Sequence, residues 1–163
     1  ASHQSNTKPT TTLQSQPHPR LHTSNHVCIE PGAIHFAPIV IRADANVQDG
    51  SVLHAPPGIP VDVGPGATIG HACVVHGAHI GADAVIANHA TVLDGVIIGA
   101  RSLVAAHALV VPGTKIPDEV VVAGAPAKIR GPVAGTGAER WVKTSSEIYR
   151  ELALRYRAGL KEL

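Results

Sequence analysis

The sequence predicts an all-β fold: a parallel β-helix built from hexapeptide repeats, with one α-helix near the C-terminal end. Three observations predict it. From residue 80 an aliphatic side chain returns at every sixth position: Ile80, Ile86, Val92, Ile98, Val104, Val110, Ile116 and Val122. Four residues after each stands a mostly small one, among them Ala84, Ala90, Ser102 and Ala108. The apolar fraction is 44%, yet there is one Trp, one Phe, two Tyr and no Met. A period of six is neither the helical period nor simple strand alternation; it marks a short strand plus a turn, three of which close one triangular coil. Ala, Val and Ile suit the narrow, regular interior of such a coil.

Residues 1–26 are polar and rich in Ser, Thr, Gln and Pro, so they read as a disordered tail whose four histidines are solvated. They lack the apolar run of a secretory signal. The β-helix is expected over 27–131. Its period runs backward from Ile80 through Val75, Ile69 and Val63, then Leu53, Val47 and Ile41. One residue is missing between Val75 and Ile80, and four are added between Leu53 and Val63. Residues 132–163 are expected to hold a linker and a helix. "RGPVAGTG" reads as a flexible connector, and "WVKTSSEIYRELALRYRAGLKEL" as the helix. Thr144 and Glu147 fit a capping box. Ile148, Tyr149, Leu152, Tyr156 and Leu160 form an apolar stripe that would pack along the β-helix.

The length of 163 residues suits one domain. A net charge of +1 without a basic run argues against a nucleic-acid partner. No stretch approaches 18 apolar residues, so no membrane span is expected. Cys28 and Cys73 make no disulfide framework, which favours a reducing, cytoplasmic setting.

The repeat also decides what the histidines can reach. "HACVVH", residues 71–76, holds two of them five apart. His54 follows Leu53 and His76 follows Val75, so both are the second residue of a hexad, one full coil apart. Their backbones should lie about 4.8 Å apart. Two ligands of one zinc, each about 2.1 Å from it, lie roughly 3.4 Å from each other. His71 is the third residue of the preceding hexad and belongs to another face of the triangle. It could join the pair only across a subunit boundary, as in a closed threefold ring. Three histidines and an open position would then make a catalytic zinc site. His79, His89 and His107 read as surface or packing residues.

"NVQDGSVLH", "TIGHACVVHG" and "VVAGAPAKI" closely resemble the γ-class carbonic anhydrases and their relatives, over roughly residues 37 to 160. The resemblance implies a left-handed β-helix and a homotrimer. It implies zinc, with iron or cobalt as substitutes, held by His54 and His76 of one subunit and His71 of the next. Gln48 would hold a metal-bound hydroxide that attacks CO2 to give bicarbonate. Asn46 and Asp49 carry over from the same motif, Asp49 as part of an interface ion-pair network. Tyr149 resembles a helix tyrosine that overhangs the site in many relatives. Two departures matter. The family's Arg-Gly-Asp before "NVQDG" is replaced by "AIHF", and Arg42 and Asp44 imitate it but lie one hexad before Gln48, too late in register. The acidic loop that carries a proton shuttle in founding members is here "APPGIPVD", with only Asp62. Three rivals share the scaffold: a thioesterase acting on coenzyme A esters, a hexapeptide acyltransferase, and a non-catalytic scaffold. "GAPAKIRG" plus the helix resembles the members encoded with phenylacetate and carnitine metabolism.

Overall fold

A computed structural model describes residues 37–159; the tail expected at 1–26 and the first ten residues of the expected β-helix lie outside it. The chain winds through about five coils. The first holds β1 (Ile39–Ile41), β2 (Asn46–Val47) and β3 (Val52–His54). The second holds β4 (Val61–Val63), β5 (Thr68–Ile69) and β6 (Val74–His76). The third holds β7 (His79–Ile80), β8 (Val85–Ile86) and β9 (Thr91–Val92). The fourth holds β10 (Ile97–Ile98), β11 (Leu103–Val104) and β12 (Leu109–Val110). The last holds β13 (Lys115–Ile116) and β14 (Val120–Ala123). A returning strand β15 (Lys128–Pro132) and helix α1 (Gly137–Gly159) follow.

Three parallel sheets form the faces of the prism. Face A is β1-β4-β7-β10-β13, face B is β2-β5-β8-β11-β14 with β15 added, and face C is β3-β6-β9-β12. This is the parallel β-helix that the repeat predicts, of the left-handed type that the resemblance implies. The hexad aliphatics point inward: Ile80, Ile86, Val92, Ile98, Val104 and Val122 have no exposed surface. Burial of each such side chain contributes about 1.5–3 kcal/mol. The small residues four positions on close the corners, and Ala84, Ala90, Val96 and Ser102 are fully buried there. Where the corner residue is a serine, its hydroxyl must be satisfied. Ser102 Oγ donates to the Pro117 carbonyl and accepts from Val120 N. Ser51 does the same between Gly70 and Cys73. Burial pushes the Cys73 thiol up, so this cysteine packs rather than reacts.

The C-terminal part corrects three expectations. "RGPVAGTG" is not wholly a flexible connector, because β15 pairs antiparallel with β14 across a bulge and covers that strand's open edge. The helix starts at Gly137, earlier than Trp141. Its capping box is Thr136 and Glu139, not Thr144 and Glu147. Thr136 Oγ1 accepts from Ala138 N, and Glu139 Oε2 accepts from Gly135 N. Thr144 is inside the helix and donates its hydroxyl to the Arg140 carbonyl. The packed stripe is also displaced toward the helix start. Val142 and Ser145 are buried and Tyr149 and Leu152 half-buried, while Ile148 and Tyr156 are exposed; Leu160 lies outside the described residues. Val142 packs with Val133 and Val85 on face B, and Ser146 Oγ donates to the Asp44 carbonyl in the first coil. So α1 runs down face B from the last coil to the first. Among the described residues no helix is long and apolar enough to cross a membrane.

Candidate functional site

Strands β3 and β6 are adjacent on face C, and their register pairs His54 with His76. Leu53 and Val75 point inward from the same strands, so alternation turns both histidines outward. The four-residue insertion is absorbed in the loop 55–60 and leaves this register intact. The rings sit with centroids 4.6 Å apart and planes tilted 34°. His54 Nδ1 is 2.8 Å from His76 Nε2. On its other side His76 Nδ1 is 2.6 Å from Asp94 Oδ1.

His71 lies on the turn between β5 and β6, exposed, at the corner where face B meets face C. It was expected on a face; the turn takes it because Ala72, at φ 53°, already reverses the chain there. His71 N donates to Asn88 Oδ1, and the His71 carbonyl accepts from His89 N. These bonds hold the corner, but they do not carry the ring to His54 and His76. Among the described residues no three His, Cys, Asp or Glu side chains converge as a metal cage.

The residues of "NVQDG" gather at the same corner as His71. Gln48 is buried rather than solvated, and its Nε2 donates to Asn46 Oδ1. Asn46 Nδ2 in turn donates to Thr68 Oγ1 on the next coil. Asp49 is exposed one coil below His71, and its carbonyl accepts from Ala72 N. Tyr149 is half-buried on α1, which touches β2 and β8; it therefore belongs to face B, with Asn46, and not beside His54 and His76. Face C is thus edged by two half-sites. Gln48, Asp49 and His71 stand where its strands enter. His54, His76 and Asp94 stand where they leave. Between them face C exposes Val52, which is 49% exposed, and Val111, 40% exposed, stands two coils above His76 on the exit edge.

Asp62 serves as no shuttle beside the histidines. It sits on face A, where Arg42 Nε and Nη2 both donate to its carboxylate, at 2.9 and 2.7 Å. The Arg42 guanidinium holds this carboxyl below the usual carboxylate range. His79 Nδ1 lies 3.6 Å from the same group. His89 and His107 are exposed on successive coils and stack at 4.8 Å with planes 1° apart. Arg42 therefore makes an ion pair with Asp62 within the subunit.

Sequence reasoning missed Asp94. The signal was available: it is the third residue of the hexad that begins at Val92, one coil above Gly77, the residue after His76. The donor set fits a divalent metal. Two imidazole nitrogens lie at nearly the separation of neighbouring zinc ligands, about 3.4 Å, and a carboxylate holds the far nitrogen of one ring, as ligand histidines usually require. One chain supplies two such ligands; His71 of a second copy is the candidate for the third.

No family model matches the chain. The Carnitine operon protein CaiE of Citrobacter koseri is 35% identical over 128 residues, 78% of this chain. The chain spans 64% of the length of that relative. Among solved structures, a Bacillus cereus protein provisionally assigned as an acetyltransferase is 31% identical with a TM-score of 0.71, covering 76% of this chain and 71% of its own. A hexapeptide transferase family protein from Anaplasma phagocytophilum is 27% identical with a TM-score of 0.67, covering 72% and 69%. These similarities and the five-coil prism agree: the chain belongs to the hexapeptide-repeat β-helix family and is similar to the carnitine operon protein CaiE.

Proposed function

We propose that the chain works as a homotrimer that hydrates CO2 to bicarbonate at sites shared between subunits, with zinc, or iron or cobalt, as the cofactor. One observation carries the reading: His54 and His76 are ladder partners with their ring nitrogens 2.8 Å apart. The placement of Gln48 and His71 on the opposite edge of face C supports a shared site. A threefold ring that sets one subunit's entry edge against its neighbour's exit edge would unite the two halves and cover Val52 and Val111. When bound there, zinc lowers the pKa of water to about 7. His54, His76 and the neighbour's His71 would hold the metal. Gln48, fixed through Asn46 to Thr68, orients the attacking oxygen. Tyr149 narrows the approach from face B. A cytoplasmic setting accords with Cys73 as a buried thiol.

A second reading has its own support. Asp94 and His76 form a carboxylate–imidazole pair, and an imidazole so held can serve as a general base. With structural relatives described as acetyltransferase and hexapeptide transferase, this favours acyl transfer from a thioester as the alternative. One sample decides between them: metal content, CO2 hydration and acetyl-coenzyme A turnover measured together. About one zinc per subunit with CO2 hydration supports the first reading. Thioester turnover by a metal-free protein supports the second and overturns the first.

A further inference from the structure

We infer that Asp94 is a positioning residue that decides which nitrogen of His76 faces the site. The inference rests on His76 being a site residue, and it holds whether His76 meets a metal or acts as a base. For a neutral His76 the geometry allows one proton arrangement. The Asp94 carboxylate only accepts, so the 2.6 Å contact requires a proton on His76 Nδ1. A neutral imidazole carries one proton, so His76 Nε2 then offers its lone pair. The 2.8 Å contact on that side is therefore a donation from His54 Nδ1 to His76 Nε2. Asp94 thus fixes the tautomer of His76 directly.

The backbone makes room for this contact. Asp94 stands one coil above Gly77, and Gly95 N donates to the Gly77 carbonyl. A Cβ on Gly77 would lie 2.6 Å from Asp94 Oδ1 and 2.9 Å from Ile59 Cγ2. Gly77 also has a φ of +55°, at the corner where the repeat is one residue short. The missing residue and the missing side chain together let a carboxylate from the next coil reach down to the imidazole. An ordinary hexad corner with a Cβ would keep it away.

The test is the tautomer, read without metal. Long-range proton–nitrogen-15 NMR of the stripped protein, at about pH 8.5 where ordinary imidazoles are neutral, shows which nitrogen of each histidine is protonated. The signals of His76 are identified as those lost in His76→Gln. The expected wild-type result is a proton on His76 Nδ1. Asp94→Ala should move His76 toward the Nε2-protonated form, with a wild-type circular dichroism spectrum. Asp94→Asn, which keeps the shape but can turn either end of its amide to the ring, should give a mixture. Zinc affinity of Asp94→Ala should fall about 10–100-fold. A wild-type His76 protonated on Nε2 overturns the inference, as does an Asp94→Ala protein whose His76 tautomer is unchanged. A wild-type protein that binds no zinc overturns the carbonic anhydrase reading instead, and the tautomer still judges Asp94.

Discussion

His54 and His76 are direct partners in the β3–β6 ladder, and their ring nitrogens meet at 2.8 Å, although 22 residues separate them in sequence. The contact follows from the coil, which returns the chain to the same face with the same side-chain direction. His71, only five residues before His76, is turned onto a corner instead. Nearness in sequence and nearness in the site are thus reversed.

That reversal predicts complementation between subunits. His71→Ala and His76→Ala should each bind no metal at the shared site. In trimers reassembled from equal amounts, a site is intact only where an unaltered His54–His76 pair meets an unaltered His71. Random mixing restores about a quarter of the sites in a threefold ring. Metal content and CO2 hydration after confirmed reassembly check it. Mixed trimers that recover neither would show that His71 does not complete a neighbour's site.

The engagement of Asp62 by Arg42 predicts slow proton export. CO2 hydration should rise with imidazole concentration at fixed pH, because no acidic side chain of the 55–62 segment is available beside the histidines. A fast turnover indifferent to buffer would reveal an internal route.

The same ion pair has a pH signature. Its folded-state pKa is depressed, chiefly by the hydrogen bonds from Arg42, with His79 nearby adding to the effect. Its contribution to stability is therefore present above the ordinary carboxylate pKa of about 3.9. It is lost as the pH falls through the lower folded value. Asp62→Asn should be less stable than the parent at pH 7, and the difference should vanish in strong acid. Urea unfolding across pH measures it.

Inward and outward positions of the prism should respond differently. Ile86→Ala removes a side chain with no exposed surface and should cost about 2–5 kcal/mol. Ile97→Ala removes an exposed one and should stay within about 0.5 kcal/mol. Denaturant titration at one protein concentration separates them.

The helix cap gives a fifth prediction. Thr136→Ala should cost about 0.5–2 kcal/mol, since it frees the Ala138 N–H. Thr144→Ala should be neutral or slightly stabilising, because alanine is the better helix former inside the helix. If the helix began at Thr144 the order would be reversed, with Thr144→Ala the costly variant, and thermal unfolding of the two tells these apart.

The sequence by itself determined the prism and the pairing of His54 with His76. Both depend on a strict period, and a period survives without coordinates: once Ile80 and Ile86 are known to point inward, every sixth position follows. It also placed His71 away from that pair within one chain. Tertiary structure alone decided the rest. Thr136 and Thr144 each precede a glutamate by three residues, and only the pairing of β15 with β14 places the helix start after the first. The resemblance makes Gln48 a candidate, but only the coil above buries it and the hydrogen bonds of Asn46 and Thr68 fix it. Asp62 is the one acidic residue of "APPGIPVD", and only the stacking of face A sets it against Arg42. Asp94 meets His76 because one coil is a residue short and Gly77 has no side chain there. Each of these is a contact between neighbouring coils at an irregular point, where the repeat no longer predicts direction and the local backbone does.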